Sequence, residues 1–298
     1  MPQPAHTANS VSVLLSTITL SPTEVSPALL TTSDLRAAGL GKRAVRVAIA
    51  AGLLVRVRTG LYLPGGCCDD VVRAATEGGR IACLSALVLH GVFVLQNKHL
   101  HLHFPSNARK RSPVKRNAVW HWTPLASAPR SGATSVGLVD ALVQAISCQP
   151  PRAAVASLDS ALHQGLIRVD DLDDIFARVP VRRRGLRSFV DGRAESGPES
   201  IVRLIALMLG FTVELQVDIP TVGRVDLVLD GWLVVECDSE AFHAGWESQK
   251  KDRRRDLALA ALGMACLRPV AEDIMFNPDV VVEALRGMRH RRRGPAGA

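Results

Sequence analysis

The chain has 298 residues and a mass of 32.0 kDa, enough for two or three domains of ordinary size, and its 47% hydrophobic content is compatible with real cores although aromatics reach only 4%. Its formal charge of +8 and pI near 9.6 point to an acidic partner, nucleic acid first, while no apolar run approaches the roughly 18 residues of a membrane span. Nothing reads as a signal peptide and the six cysteines lack the paired spacing of a zinc knuckle, so reduced thiols in the cytoplasm are expected and disulfide frameworks are argued against.

Residues 1–25 are polar and Ser/Thr-rich with a short apolar patch from Val11 to Leu20, and read as a mobile arm or a first helix. From 26 to 66 the signals sharpen. Thr31 to Asp34 caps a short helix closed by Gly39, Gly41-Lys42-Arg43 opens a second helix that stops at Gly52, and Leu53 to Leu63 is an alternating ribbon turning at Thr59-Gly60. Two helices and a basic ribbon predict a winged helix-turn-helix.

Between Asp34 and Tyr62 stand six bases, Arg36, Lys42, Arg43, Arg46, Arg56 and Arg58, against one acid, Asp34 itself. Such a localised footprint fits phosphate contact with duplex DNA, with Lys42, Arg43 and Arg46 opening the recognition helix and Arg56 and Arg58 on the wing. A protein-contact role is the other use of such a module. The pattern Thr-Ser-Asp-Leu-Arg-Ala-Ala-Gly-Leu followed by Gly-Leu-Leu-Val-Arg-Val-Arg-Thr-Gly-Leu-Tyr resembles the N-terminal domain of AbiEi-type antitoxins over about forty residues. That resemblance implies DNA binding, often linked to transcriptional control, and a toxin or defence-system partner.

Residues 67–190 read as a mixed α/β middle region. Ile81 to Gly91 is an apolar helix, and Lys98 to Phe104 is a strand carrying His99, His101 and His103 on one face, with Trp120-His121-Trp122 as a neighbouring strand across a basic loop. Three histidines at period two can chelate a metal in principle. No fourth ligand is evident in the sequence, so a polar strand face is the expectation. Helices are expected over 136–146, 153–165 and 169–179, and Arg182-Arg183-Arg184 as a linker or a phosphate clamp.

Residues 191–298 form the last domain, a sheet domain with a basic C-terminal tail. Ser196 and Glu199 stand at capping-box spacing at the head of a helix running to Leu209, and the following order is strand, hairpin, long basic helix over 245–262, and a short strand at 265–268. The hairpin places Asp226 on its first strand and Glu236 and Asp238 at the end of its second. A two-residue turn of Asp230 and Gly231 would pair Val225 with Glu236 and split the apolar face. A three-residue loop with Gly231 left-handed pairs Val225 with Val235, gathers Val225, Leu227 and Leu229 on one face, and puts Asp226, Glu236 and Asp238 on the other. Carboxylates beside so apolar a strand are costly unless a cation relieves them, and hard divalent ions prefer oxygen ligands.

Gly-Pro-Glu199-Ser, Arg-Val-Asp226-Leu, Val-Val-Glu236-Cys-Asp238, Phe-His243, Asp252-Arg-Arg-Arg-Asp256 and Cys-Leu-Arg268-Pro occur in order over about ninety residues. This series resembles the very-short-patch-repair-like (Vsr-like) branch of the PD-(D/E)XK restriction-endonuclease-like superfamily. The resemblance implies a restriction-endonuclease-like α/β sheet, giving an α/β (α+β overall) protein, and a Mg²⁺ (or Mn²⁺) held by Asp226, Glu236 and Cys237 through its carbonyl. Glu199 would approach the metal, Asp238 takes the place of the usual lysine, His243 would act as base or orient water, and Lys250, Arg254 and Arg255 would hold phosphates. The chain departs from this branch at Ser239, where glycine is usual, and a side chain there would crowd the approach of His243.

Two functions therefore remain open. One is a Mg²⁺-dependent DNA endonuclease or nickase, in phage defence or DNA repair, guided to duplex DNA by the winged domain. The other is a DNA-binding regulator or antitoxin whose nuclease-like domain is structural, with a homodimer as one arrangement. An RNA-directed nuclease lacks the aromatic face expected for stacking single strands.

Overall fold

The computed structural model describes residues 26–106, 118–237 and 246–293. Asp238, Ser239 and His243, the arm at 1–25 and the basic loop between the histidine and tryptophan strands lie outside the described residues. The protein is α/β, and it divides into two compact units, residues 1–92 with 96–148 and residues 93–95 with 149–298.

In the first unit the helix-turn-helix and ribbon form from local signals. Strand β1 (Leu30–Thr31) leads into α1 (Thr32–Ala37), whose cap is reciprocal: Thr31 Oγ1 accepts from Asp34 N at 3.1 Å and Asp34 Oδ2 accepts from Thr31 N at 2.7 Å. Helix α2 (Lys42–Ala50) follows, then β2 (Leu54–Arg58) and β3 (Leu61–Pro64), joined through Gly60 at φ +75°. Leu30, Leu35, Leu40, Ala48, Leu54 and Tyr62 make the small core that fixes the two helices on the ribbon.

The rest of this unit comprises α3 (Asp69–Glu77), β4 (Arg80–Ile81), α4 (Cys83–Leu89), β5 (Leu100–His103), β6 (Ala118–His121) and α5 (Leu138–Cys148). Strands β4, β5 and β6 form one sheet, with β5 and β6 parallel and His103 opposite His121. His99 falls before β5 and is exposed, whereas His101 and His103 are buried on β5, so the strand itself carries only two of the three histidines.

The region 67–190 is divided between the units rather than forming one body. Helices α6 (Pro151–His163), α7 (Asp171–Ala177) and α8 (Val181–Arg184), with the 3₁₀ turn Gly185–Phe189, belong with the C-terminal sheet. The reason is packing: Ala156 of α6 is buried in the same core as Ile201, Val202 and Ile205 of α9 (Gly197–Met208). A buried ion pair adds to that seam. Arg203 of α9 donates from Nη2 to Asp159 Oδ2 at 2.8 Å and to the Phe189 carbonyl at 2.6 Å.

The second unit is a four-stranded sheet between helices. Strands β7 (Val213–Ile219), β8 (Gly223–Leu229) and β9 (Leu233–Val235) are antiparallel neighbours, and after α10 (Trp246–Ala261) the strand β10 (Ala265–Leu267) pairs parallel with β9. Leu215, Leu227, Leu229, Leu233 and Val235 face α9, together with Ile274 of α11 (Ala271–Phe276) and Val281 and Leu285 of α12 (Pro278–Arg293). Val225, Val228 and Val234 pack with Leu259 of α10. The C-terminal stretch, expected as a basic tail, is thus a helix through Arg293 that buries Val281 and Leu285. Among the described residues no helix is long and apolar enough to cross a membrane.

Two details of the hairpin differ from the expected register. Asp230 and Gly231 are both left-handed, at φ +48° and +71°, and the three-residue loop ends at Trp232, so Val235 pairs with Leu227 instead of Val225. Val225 also leaves the face of Leu227 and Leu229 and joins that of Val228. The cause lies across the ladder. Gln216, between the pairs Leu215–Leu227 and Val217–Val225, sits at φ +55°, and this left-handed residue turns the ribbon so that alternation breaks at Asp226.

Candidate active site

One end of the C-terminal sheet collects the acids anticipated in the sequence. The end of β9 lies beside the middle of β8, where Val235 pairs with Leu227, and the end of β10 lies alongside because it is parallel to β9. Asp226, Glu236 and Arg268 therefore emerge at the same edge, and the first turn of α9 contributes Glu199.

Glu199 is buried, and its Oε2 accepts from Glu195 N at 2.9 Å and from Gln216 Nε2 at 2.8 Å, while its own amide donates to Ser196 Oγ at 3.3 Å. Ser196 thus caps the helix, but the Glu199 carboxylate turns to Glu195 and Gln216. Burial pushes the Glu199 carboxyl above its ordinary value, the hydrogen bond with Ser196 works against that, and the negative charge of Asp226 adds to it. Gln216, strained and opposite Asp226, also accepts from Arg224 Nε at 2.7 Å, and Arg224 is ion-paired with Glu195.

Asp226 Oδ2 accepts from the Cys237 amide at 2.8 Å, which holds the carboxylate against the end of β9. Glu236 faces α10. Its Oε1 meets Arg255 Nη2 at 2.6 Å and its Oε2 meets Arg268 Nη1 at 2.6 Å, with Arg268 also reaching Asp256 at 3.0 Å. Arg255 further donates to the Arg224 carbonyl at 2.8 Å. Arg255, expected as a phosphate ligand, is therefore engaged with Glu236, whereas Arg254 is exposed and Lys250 is half-buried on the same helix.

The oxygen donors of Asp226 and Glu236 are of the type that Mg²⁺ takes, and the Cys237 peptide lies against Asp226. A cation at Glu236 would compete with two guanidiniums. Among the described residues, Glu199, Asp226 and Glu236 do not form a set of three ligand atoms within 4.8 Å of one another. Residues to which the sequence assigned no role complete the edge: Glu195, Gln216 and Arg224 build the network around Glu199, and Arg268 pairs with Glu236. Arg268 stood in the motif series, but only the parallel pairing of β10 with β9 puts it beside Glu236.

On the N-terminal ribbon, Lys42, Arg43 and Arg46 are exposed at the start of α2, and Arg56 is exposed on β2. Arg58 differs, since its guanidinium rests against the end of α3, where a Cβ on Gly78 would lie 2.5 Å from Nη1.

No protein-family model matches the chain. It is 34% identical over 151 residues to an uncharacterised protein of Mycobacterium tuberculosis, found in two strains of that organism. The match covers 47% of this chain, which spans about half (55%) of that protein's length.

Proposed function

We propose that the protein is a Mg²⁺- or Mn²⁺-dependent DNA endonuclease or nickase, carried to duplex DNA by the exposed bases of α2 and β2. One observation carries this: carboxylates from α9, β8 and the residue after β9 gather at one edge of an α-β-β-β-α-β sheet, with Glu199 bonded to Gln216 across the ladder from Asp226 and Asp226 bonded to the Cys237 amide next to Glu236. Asp226 and Glu236 would hold the cation, which when bound supplies activation of water and neutralises charge on the phosphate. Glu199, fixed by Gln216 and the Glu195 amide, positions the acidic edge, and Arg254 stands on the open side of α10 for the DNA backbone.

The test is incubation of plasmid DNA with the protein and Mg²⁺ or Mn²⁺, comparing the wild type with Asp226→Asn. Nicked or linear product from the wild type and none from the variant is expected. A second proposal, a non-catalytic DNA-binding regulator of antitoxin type, is favoured by the two guanidiniums on Glu236. Equal DNA binding by both proteins without cleavage by either would select it.

A further inference from the structure

The first unit holds a cluster of side chains that the proposed nuclease edge does not use. Cys83, His101, His121 and Cys148 each offer one ligand atom, and these four atoms lie within 4.8 Å of one another, the one such group of His, Cys, Asp and Glu among the described residues. They come from four elements: the first residue of α4, β5, the last residue of β6 and the last residue of α5. Helices do not bring two thiols and two imidazoles together by propensity. Packing of α4 with α5 and pairing of β5 with β6 does it.

The spacing is within reach of a tetrahedral centre. Metal–sulfur bonds of about 2.3 Å and metal–nitrogen bonds of about 2.0–2.1 Å place neighbouring ligand atoms roughly 3.3–3.8 Å apart. His101 Nδ1 and His121 Nε2 stand 3.1 Å apart, with the rings stacked at 23° and centroids 5.3 Å apart. A shift of a few tenths of an ångström would seat both nitrogens on one ion.

The surroundings hold these groups where they are at some cost. Cys83 is fully buried and left-handed, at φ +48°, a conformation that a residue with a Cβ rarely keeps without a reason. Its amide donates to Oε1 of the buried Gln144 at 3.0 Å, which pins the turn. His101 is also buried, and its backbone amide donates to Ser85 Oγ at 3.0 Å. The Cys83 thiol and the His101 imidazole are buried and face His121 and the exposed Cys148, so an ion entering from the Cys148 side would satisfy groups that burial otherwise penalises.

We propose that Cys83, His101, His121 and Cys148 form a structural site for a Zn²⁺ ion. Two sulfurs and two imidazoles suit a tetrahedral Zn²⁺, and with four protein ligands the site is closed, leaving no position for water or substrate. Its role is to clamp the start of α4 and the end of α5 to the β5–β6 pair, in a unit whose two three-stranded sheets are short. Metal there stabilises the fold, because its binding free energy becomes folding free energy. His103, which stands opposite His121 on the strand ladder, takes no part.

The experiment uses the full chain, purified without chelators and with thiols kept reduced, and reads metal by elemental analysis. One zinc per chain is expected, with loss of that zinc in Cys148→Ser and in His121→Ala and retention in Cys67→Ser/Cys68→Ser. After chelation, Co²⁺ added to the wild type should give thiolate-to-cobalt charge transfer and the intense visible bands of tetrahedral cobalt, both absent from Cys148→Ser. Chelation should lower the melting temperature of the wild type and leave that of Cys148→Ser unchanged, a comparison made within each folded protein. The proposal is overturned by a wild type that takes up neither zinc nor cobalt, by full zinc content in the Cys148→Ser variant, or by a Cys83–Cys148 disulfide in protein isolated under reducing conditions. None of these readouts depends on DNA cleavage, so the fate of the nuclease proposal leaves this one intact.

Discussion

The Cys237 amide donates to Asp226 Oδ2 at 2.8 Å, so the acid in the middle of β8 is fixed by the segment that follows β9 and carries Glu236. An asparagine at 226 keeps an oxygen to accept that bond but loses the charge. Asp226→Asn should therefore change unfolding free energy by no more than about 1 kcal/mol, the scale of one neutral hydrogen bond. Loss of plasmid cleavage with an unchanged urea midpoint is the expected pairing of results, and a large drop in the midpoint would show that Asp226 serves the fold.

Glu236 behaves differently because two guanidiniums rely on it. Glu236→Gln leaves Arg255 and Arg268 half-buried beside a neutral amide, and charge-assisted bonds are worth about 1.5–3 kcal/mol each way. Chemical denaturation should show destabilisation of that order, relieved in part by adding Arg255→Gln. A variant as stable as wild type would mean that the two arginines are equally well served by solvent.

DNA affinity should follow the exposed bases of α2. Arg43→Ala/Arg46→Ala removes two phosphate contacts and should reduce the slope of log affinity against log salt by roughly 2, since each contact contributes about 0.9 for duplex DNA. Fluorescence anisotropy across a salt series measures this. Arg58→Ala, which removes a guanidinium packed on the end of α3, should leave the slope unchanged.

The Asp159–Arg203 pair is buried on both sides, with side-chain exposures of 0% and 6%. Removing one partner strands the other charge in the core, at a cost of about 3–5 kcal/mol. Asp159→Ala should lower the melting temperature of the C-terminal unit far more than any surface substitution, measured by calorimetry. A shift as small as that of an exposed ion pair would contradict the burial of this pair.

Asp191 supplies a pH dependence of known sign. Its hydrogen bond with Arg193 holds the carboxyl below its ordinary value, so the folded state binds this proton less readily than the unfolded chain. The stabilisation is present above the ordinary aspartate range and is lost as pH falls through the depressed value. Arg193 is largely exposed, which limits the effect to about 1 kcal/mol or less. Asp191→Asn should be less stable than wild type at neutral pH, and the two denaturation midpoints should converge in acid.

What the sequence determined by itself is whatever short range decides. The Thr31–Asp34 cap, the turn at Gly60, the left-handed Gly231 and the order of helix and strand around Asp226 and Glu236 all follow from neighbours a few residues apart, where side-chain caps and glycine φ leave few alternatives. The hairpin register was legible in parity but not in place, because Trp232 entered the loop and Gln216, on another strand, took the left-handed turn that moves Val225 to the second face. Arg268 beside Glu236 and the meeting of Cys83 with Cys148 lay beyond the sequence altogether. Only tertiary packing decided them, since a parallel strand pairing and two helix ends set those distances and no local propensity encodes them.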